Sequence, residues 1–223
     1  QTVQAPVMLE APYRRAALDR LSLERWKLQA GDAMLHRLEG FVLRAASRIT
    51  CLSSFMLNEV VRAHPWLKLA IRDKATVIRG GTNLSAFGTG IGSDEARAAL
   101  GWGDEKVLLA VRRLEPRMGL ELLLDVVGQS VSPAIRLIIA GRGSLESALE
   151  ARCAALGLDD RVTFAGFVPD EQLPLYYAAA DVVVMPSVAA EAFGVSSDEA
   201  LASGTPVVAP PVGANTEITG SVD

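Results

Sequence analysis

Residues 191–209 read Glu191-Ala-Phe-Gly-Val-Ser-Ser-Asp-Glu199-Ala-Leu-Ala-Ser-Gly-Thr-Pro206-Val-Val-Ala209. Two carboxylates, a Phe-Gly pair and a closing β-branched run fall here in a fixed order. Just upstream, Asp181-Val-Val-Val-Met-Pro186 is an apolar run ended by proline, the pattern of a parallel strand buried on both faces. Small and acidic residues from Ser196 to Ala202 then predict a helix that Gly204 stops. Glu191 is thus expected on a loop and Glu199 inside the following helix, both near one strand end. Phe193-Gly194 at the helix start would aim backbone N–H groups at an anion, and the helix dipole favours negative charge there.

Working outward, the same alternation repeats. Strands are predicted at Val107–Val111, Arg136–Ala140, Val162–Ala165, Val182–Met185 and Val207–Ala209. Between them lie helices at Leu120–Gln129, Ser144–Leu156, Glu171–Ala178 and Ser196–Ala202. Strict strand and helix alternation over about a hundred residues argues a doubly wound parallel sheet of the Rossmann-like α/β class, with ligands at the shared strand ends. Toward the amino terminus, apolar residues at Leu23, Trp26, Met34, Leu38, Phe41 and Ala45 predict an amphipathic helix packing one face. A strand at Arg48–Ser53, a helix from Ser54 to Val61 and a strand at Thr76–Arg79 follow, with Ser54 as the expected cap. Ser85 to Ser93, rich in Gly, Ser and Thr, reads as a linker. The expected division is a first domain over 1–84, a linker over 85–93 and a second domain over 94–223.

With 223 residues, half of them hydrophobic, the chain can bury one large core or two modest ones. No apolar run approaches the ~20 residues of a membrane helix, and Gln1 to Pro6 lacks a basic-then-apolar signal pattern. Cys51 and Cys153 stand alone in apolar segments and read as buried thiols of a cytoplasmic protein. Net charge is −4, divided as 13 Lys and Arg against 7 Asp and Glu in residues 1–83 and 9 against 19 beyond. The basic front segment either faces anionic lipid, as a peripheral membrane contact, or is a solvated helix face. Nucleic acid is not expected as a partner, since the acidic portion has no basic patch interleaved with aromatics.

Chemistry-bearing residues gather at the predicted strand ends. Arg112-Arg-Leu-Glu-Pro-Arg117-Met-Gly119 puts three guanidiniums on one loop, and arginine suits phosphate because it is always charged and binds two oxygens at once. Gly141-Arg-Gly143 follows the next strand, with Glu146 where a dinucleotide fingerprint has its third glycine. Arg142 there either touches base or phosphate or is a surface residue. Phe167 and Val168, after the third strand, either wall a base pocket or are plain core. His36 and His64 have no ligand spacing, and no Ser-His-Asp, Cys-His or metal-ligand set can be assembled. No metal site is expected.

These motifs together resemble the retaining glycosyltransferases of family 4, which have the GT-B fold. The resemblance rests on Glu191-x7-Glu199 followed by Ala-x-Ala-x-Gly-x-Pro-Val-Val, with Ala192 where the family has glycine. It implies that Glu191 holds donor-sugar hydroxyls and Glu199 ribose hydroxyls, and that Phe193 and Gly194 present backbone to the donor. Arg113 would grip the donor diphosphate, and Arg117 would replace the family lysine, whose position Met118 occupies. Gly141 and Arg142 would line the nucleotide side, with Phe167 and Val168 at the base. The implied donor is a UDP-sugar or GDP-sugar and the acceptor a carbohydrate or lipid-linked molecule, with no cofactor or metal required. It also implies that the second domain, over 94–223, binds the nucleotide sugar, that the chain holds only part of the first of two Rossmann-like domains, and that it stops before the final crossing helix. Rival readings are a nicotinamide oxidoreductase, favoured by Gly141-x-Gly143, a non-catalytic nucleotide-binding module, and a nucleotide-sugar epimerase.

Overall fold

The computed structural model describes residues 2–3, 11–12, 23–88, 90–130, 135–189 and 191–219. The chain divides into two compact units. One comprises Gln1–Gly80, Ala190–Phe193 and Gly213–Asp223, and the other Gly81–Ala189 and Gly194–Val212.

In the second unit, β4 (Lys106–Val111), β5 (Ile135–Ala140), β6 (Val162–Gly166), β7 (Val182–Val184) and β8 (Val207–Val208) form one sheet. Its order is β6-β5-β4-β7-β8 and every pairing is parallel. The Rossmann-like doubly wound reading is therefore borne out, and the winding reverses between β4 and β7, where such sheets open a crevice beyond their carboxyl ends. Alternation along the strands covers both faces. Ala110, Leu137 and Ile139 pack with Leu124 and Leu149 of the helices Leu120–Gln129 and Glu146–Ala155. Val107, Leu109, Ile138 and Val183 pack the opposite way, with Tyr177 and Ala200 of the helices Leu173–Ala179 and Val195–Ala202. The stretch read as a linker opens on a short helix, Leu84–Phe87, that Asn83 caps by accepting from the Ser85 N–H at 3.0 Å.

The first unit holds three parallel strands in the order β1-β2-β3, namely Thr2–Val3, Ile49–Cys51 and Ala75–Val77. Its core gathers Leu43, Ile49, Cys51, Met56, Val60 and Ile71. The helix Ser54–Ala63 is capped by Ser53 rather than Ser54: Ser53 Oγ accepts from the Met56 N–H at 3.0 Å. A second cap comes from far along the chain, where the Glu217 carboxylate accepts from the N–H groups of Ser54 and Phe55 at 3.0 and 2.7 Å. Both satisfy donors that the first helical turn leaves open.

The long helix Leu23–Ala45 forms, yet the expected packing face is wrong. Met34, Leu38 and Phe41 are exposed, whereas Asp32, Gly40 and Leu43 are buried. Gly40 brings the helix backbone against the His64 ring, to which a Cβ would lie 3.3 Å away, and Leu43 follows it into the core. A hydrophobicity pattern cannot reveal a face chosen by a small residue. The Leu23 and Trp26 side chains of that pattern lie outside the described residues, as do the chain ends at Gln1 and Val222-Asp223. No described helix is long and apolar enough to cross a membrane. Cys51 and Cys153 are buried free thiols, as expected, and burial raises both pKa values.

Candidate functional site

At the carboxyl ends of β4, β5 and β6, three loops are laced together by backbone. Arg112 and Leu114 donate N–H bonds to the carbonyls of Ala140 and Arg142 at 2.8 and 3.0 Å, and Gly141 donates to Gly166 at 2.6 Å. Gly141 has φ +144°, and a Cβ there would collide with the Arg112 carbonyl, so only glycine lets the two loops close on each other. Between them lies a cleft of about 390 Å³. Of the residues expected from sequence, Arg113, Gly141, Arg142, Phe167 and Val168 all line it, together with Asp170 and Ser196. Arg113 and Arg142 are exposed there, Val168 is buried, and Phe167 stands 67 % exposed on the lip.

The helix Val195–Ala202 starts beside this cleft. Gly194 precedes it at φ +83° and offers no side-chain cap, so the first-turn N–H groups are capped by no Gly194 side chain. Ser196 Oγ donates to the Val111 carbonyl at 3.0 Å, tying the helix start to the end of β4. Glu199 lies one turn further in, where Tyr177 OH donates to its Oε2 at 2.7 Å. Burial raises the Glu199 pKa; the tyrosine bond pulls it down, and the charges of Asp170 and Asp198 push it up again. Burial and then the Glu199 charge push the Tyr177 phenol well above its ordinary value.

Arg117 is half-buried on the 3-10 turn Pro116–Met118, outside the cleft lining, and its carbonyl accepts from the Val188 N–H at 3.1 Å. Glu191 and Phe193 belong to the first unit, where both are buried. The Glu191 carbonyl there accepts from the Ala214 N–H at 2.9 Å, and Phe193 packs on Gly80, whose absent Cβ would lie 2.6 Å from its ring.

Arg112, one of the three guanidiniums expected on this loop, had no role assigned from sequence. This residue also lines the cleft but is only 9 % exposed, its guanidinium held by two thioethers: Nη2 donates to Met118 Sδ at 3.1 Å and Nη1 to Met185 Sδ at 3.6 Å. Met118, standing where the resembled family has lysine, therefore serves as an acceptor for a buried arginine. The signal was its adjacency to Arg113 at a strand end. Tyr177 was hidden as one aromatic among helix residues, and only its position one turn behind the cleft reveals its bond to Glu199.

Comparison with known proteins bears on the family and the fold. Residues 92–221 match the family described as glycosyl transferases group 1. The D-inositol 3-phosphate glycosyltransferase of Mycolicibacterium smegmatis is 36 % identical over 196 residues, which is 83 % of this chain and 43 % of that protein. Among solved structures, sucrose-phosphate synthase from Thermosynechococcus elongatus superposes with a TM-score of 0.75 at 29 % identity, over 98 % of this chain and 51 % of that one. Anabaena HepE in complex with UDP and glucose does so with 0.72 at 26 %, over 83 % and 50 %. The chain thus spans less than half the length of that curated relative and about half of each solved chain.

Proposed function

The chain belongs to the glycosyl transferases of group 1, and on that premise we propose that it is the donor-binding part of a retaining, family 4 type glycosyltransferase that uses a nucleotide-diphosphate sugar. The observation that carries the reading is the cleft at the carboxyl ends of β4–β6, into which Arg113 and Arg142 bring two cations at the edge where such sheets bind ligands. The similarity to a protein solved with UDP and glucose supports a uridine nucleotide as the first donor to try.

The charge pattern suits departure of a diphosphate. As the glycosidic bond breaks, negative charge grows on the leaving oxygens, and preorganised donors lower that barrier most where they need not reorganise. Arg113 supplies a fork for two oxygens, and the helix beginning at Val195 supplies the positive end of its dipole. Arg112 adds a fixed charge beneath, held still by Met118 and Met185. In the proposed front-face reaction the diphosphate takes the acceptor hydroxyl's proton, so no side-chain base is assigned and no resident metal or cofactor is invoked. Glu199 is assigned the ribose hydroxyls, Arg117 further contact with the diphosphate, and Glu191 the sugar. The backbone at Phe193 and Gly194 is assigned to the donor, while Phe167 and Val168 are assigned to the base. A carbohydrate or lipid-linked acceptor and a cytoplasmic location belong to the same proposal.

A thermal-shift panel of UDP, GDP and ADP sugars tests it. One nucleotide is expected to raise the melting temperature of the wild type, the consequence of the ~2.7 kcal/mol of stabilisation that a ligand at a hundred times its Kd contributes, and to lose that effect in Glu199→Ala. Absence of any shift, or equal shifts in both proteins, would remove the assignment.

A further inference from the structure

His36 and Glu39 lie three residues apart on the helix Leu23–Ala45 and so share a face. His64 ends the helix Ser54–Ala63, turned by φ −124° and ψ 63° just before Pro65. The two imidazoles stack with centroids 4.3 Å apart, and Trp66 meets both edge-on at 5.6 and 5.4 Å. Glu39 Oε2 is 3.0 Å from His64 Nε2 and 3.8 Å from His36 Nδ1. The His64 side chain is wholly buried, and those of His36 and Glu39 are only 18 % and 16 % exposed.

One feature of this cluster is unaccounted for by hydrogen bonding. The Nδ1 atoms of both histidines are buried and have no hydrogen-bond partner. Buried polar atoms are nearly always paired, so the orphan His36 Nδ1, 3.8 Å from the Glu39 carboxylate, needs a reason, while His64 faces the same carboxylate through Nε2. Neutral imidazole nitrogens and a carboxylate are ligands for zinc, and two histidines with one glutamate leave the fourth tetrahedral position open. One atom from each of the three residues already lies within 4.8 Å of the others. Zinc bonds of ~2.0–2.2 Å require ligand atoms roughly 3.4 Å apart, so small side-chain shifts close the set. Gly40 keeps that geometry: a Cβ there would come within 3.3 Å of His64 Nδ1 and push the ring away.

We propose that His36, Glu39 and His64 bind one divalent ion of the zinc class, joining the long helix to the corner at His64-Pro65. The site is separate from the nucleotide cleft and does not depend on the transferase reading. Its role is structural, since a metal that binds only the folded state stabilises it.

The test uses the 223-residue chain, stripped of metal, with Zn²⁺ measured by competition against a chromophoric chelator and Co²⁺ as a spectroscopic probe. One equivalent of Zn²⁺ should bind and raise the melting temperature, and Co²⁺ should give visible ligand-field bands and quench Trp66, a quench that Trp66→Phe removes. His36→Gln and Glu39→Gln should each weaken binding by more than ~100-fold, beyond the 10–100-fold typical of losing an outer-shell partner. These two half-buried positions carry the test because His64→Gln alters a sealed one. UDP-sugar shifts should be the same in both variants as in the wild type, so failure here and failure of the donor-site proposal are read separately. No stoichiometric Zn²⁺ or Co²⁺ binding, or binding that survives both substitutions, would overturn the site and leave a hydrogen-bonded cluster only.

Discussion

At the amino edge of the five-stranded sheet Asp181 is surrounded by charged donors, whereas behind the carboxyl edge Glu199 has a neutral tyrosine. Asp181 accepts from Arg97 Nη2 at 2.6 Å, Lys106 Nζ at 2.8 Å and the Val107 N–H at 2.8 Å. Burial would raise its pKa, but these bonds together more than offset that and hold the carboxyl below its ordinary 3.8. Glu199 has a Tyr177 hydroxyl at 2.7 Å, and its pKa is raised above 4.5, mainly by burial. One end of the sheet spends its carboxylate on holding β4 to β7. The other keeps a carboxylate that a single neutral hydroxyl compensates only in part, the kind of perturbed group that clusters at functional sites.

Asp181 carries the larger expected loss of stability. Asp181→Ala strips charge-assisted bonds from Arg97 and from the β4 backbone, and should cost about 1.5–3 kcal/mol in urea unfolding with the nucleotide affinity of the remaining folded protein unchanged. A loss of nucleotide binding at equal stability would mean that the two edges are not functionally distinct. Arg113→Ala should behave in the opposite way. Its side chain is exposed, so stability should hold within ~0.5 kcal/mol, while loss of the bidentate phosphate contact proposed for it should weaken UDP binding by roughly 10–100-fold in a calorimetric titration.

The two carboxylates should also separate by the sign of their pH dependence. For Asp181 the folded pKa lies below the ordinary 3.8, so its stabilisation is present above that value and is lost as pH falls through the folded pKa. For Glu199 the folded pKa lies above 4.5, so the folded state holds the proton more tightly. Stability from this group is complete below 4.5 and declines as pH rises through the elevated folded value. Glu199→Gln should therefore flatten the stability profile just above pH 4.5, and Asp181→Asn should flatten it below pH 3.8. If both substitutions change the same window, the contrast drawn here fails.

How far this arrangement was legible follows from what each residue is asked to do. The parallel sheet was readable because strands buried on both faces must be continuous apolar runs, as in Val107–Val111 and Val182–Val184. That Arg113, Gly141, Arg142, Phe167 and Val168 would line one cleft was readable because strand ends in this architecture share one edge. What stayed hidden depends on side chains meeting across the chain. Nothing in the spacing of Tyr177 and Glu199, or of His64 and the pair His36 and Glu39, says that they touch. The exposed Met34, Leu38 and Phe41 show the converse, since periodicity located the helix but Gly40 determined which side turned inward.

Tyr177→Phe should have a smaller effect. Removing the hydroxyl leaves the ring packed against Phe87 at 5.8 Å but takes away the one bond that favours the charged form of Glu199. A cost of about 0.5–1.5 kcal/mol is expected, with the Glu199 titration moving further upward in a carboxyl-resolved NMR experiment. Met118→Leu should have the smallest effect. Leucine keeps the buried volume, so packing alone should change by less than ~1.5 kcal/mol, but the sulfur that accepts from Arg112 is gone. If that thioether positions the arginine for the diphosphate, the variant should keep its melting temperature to within a few degrees and lose UDP affinity severalfold. An unchanged affinity would show that Met185 and the surrounding backbone suffice to hold Arg112, and that methionine at this position fills space rather than replacing the function of lysine.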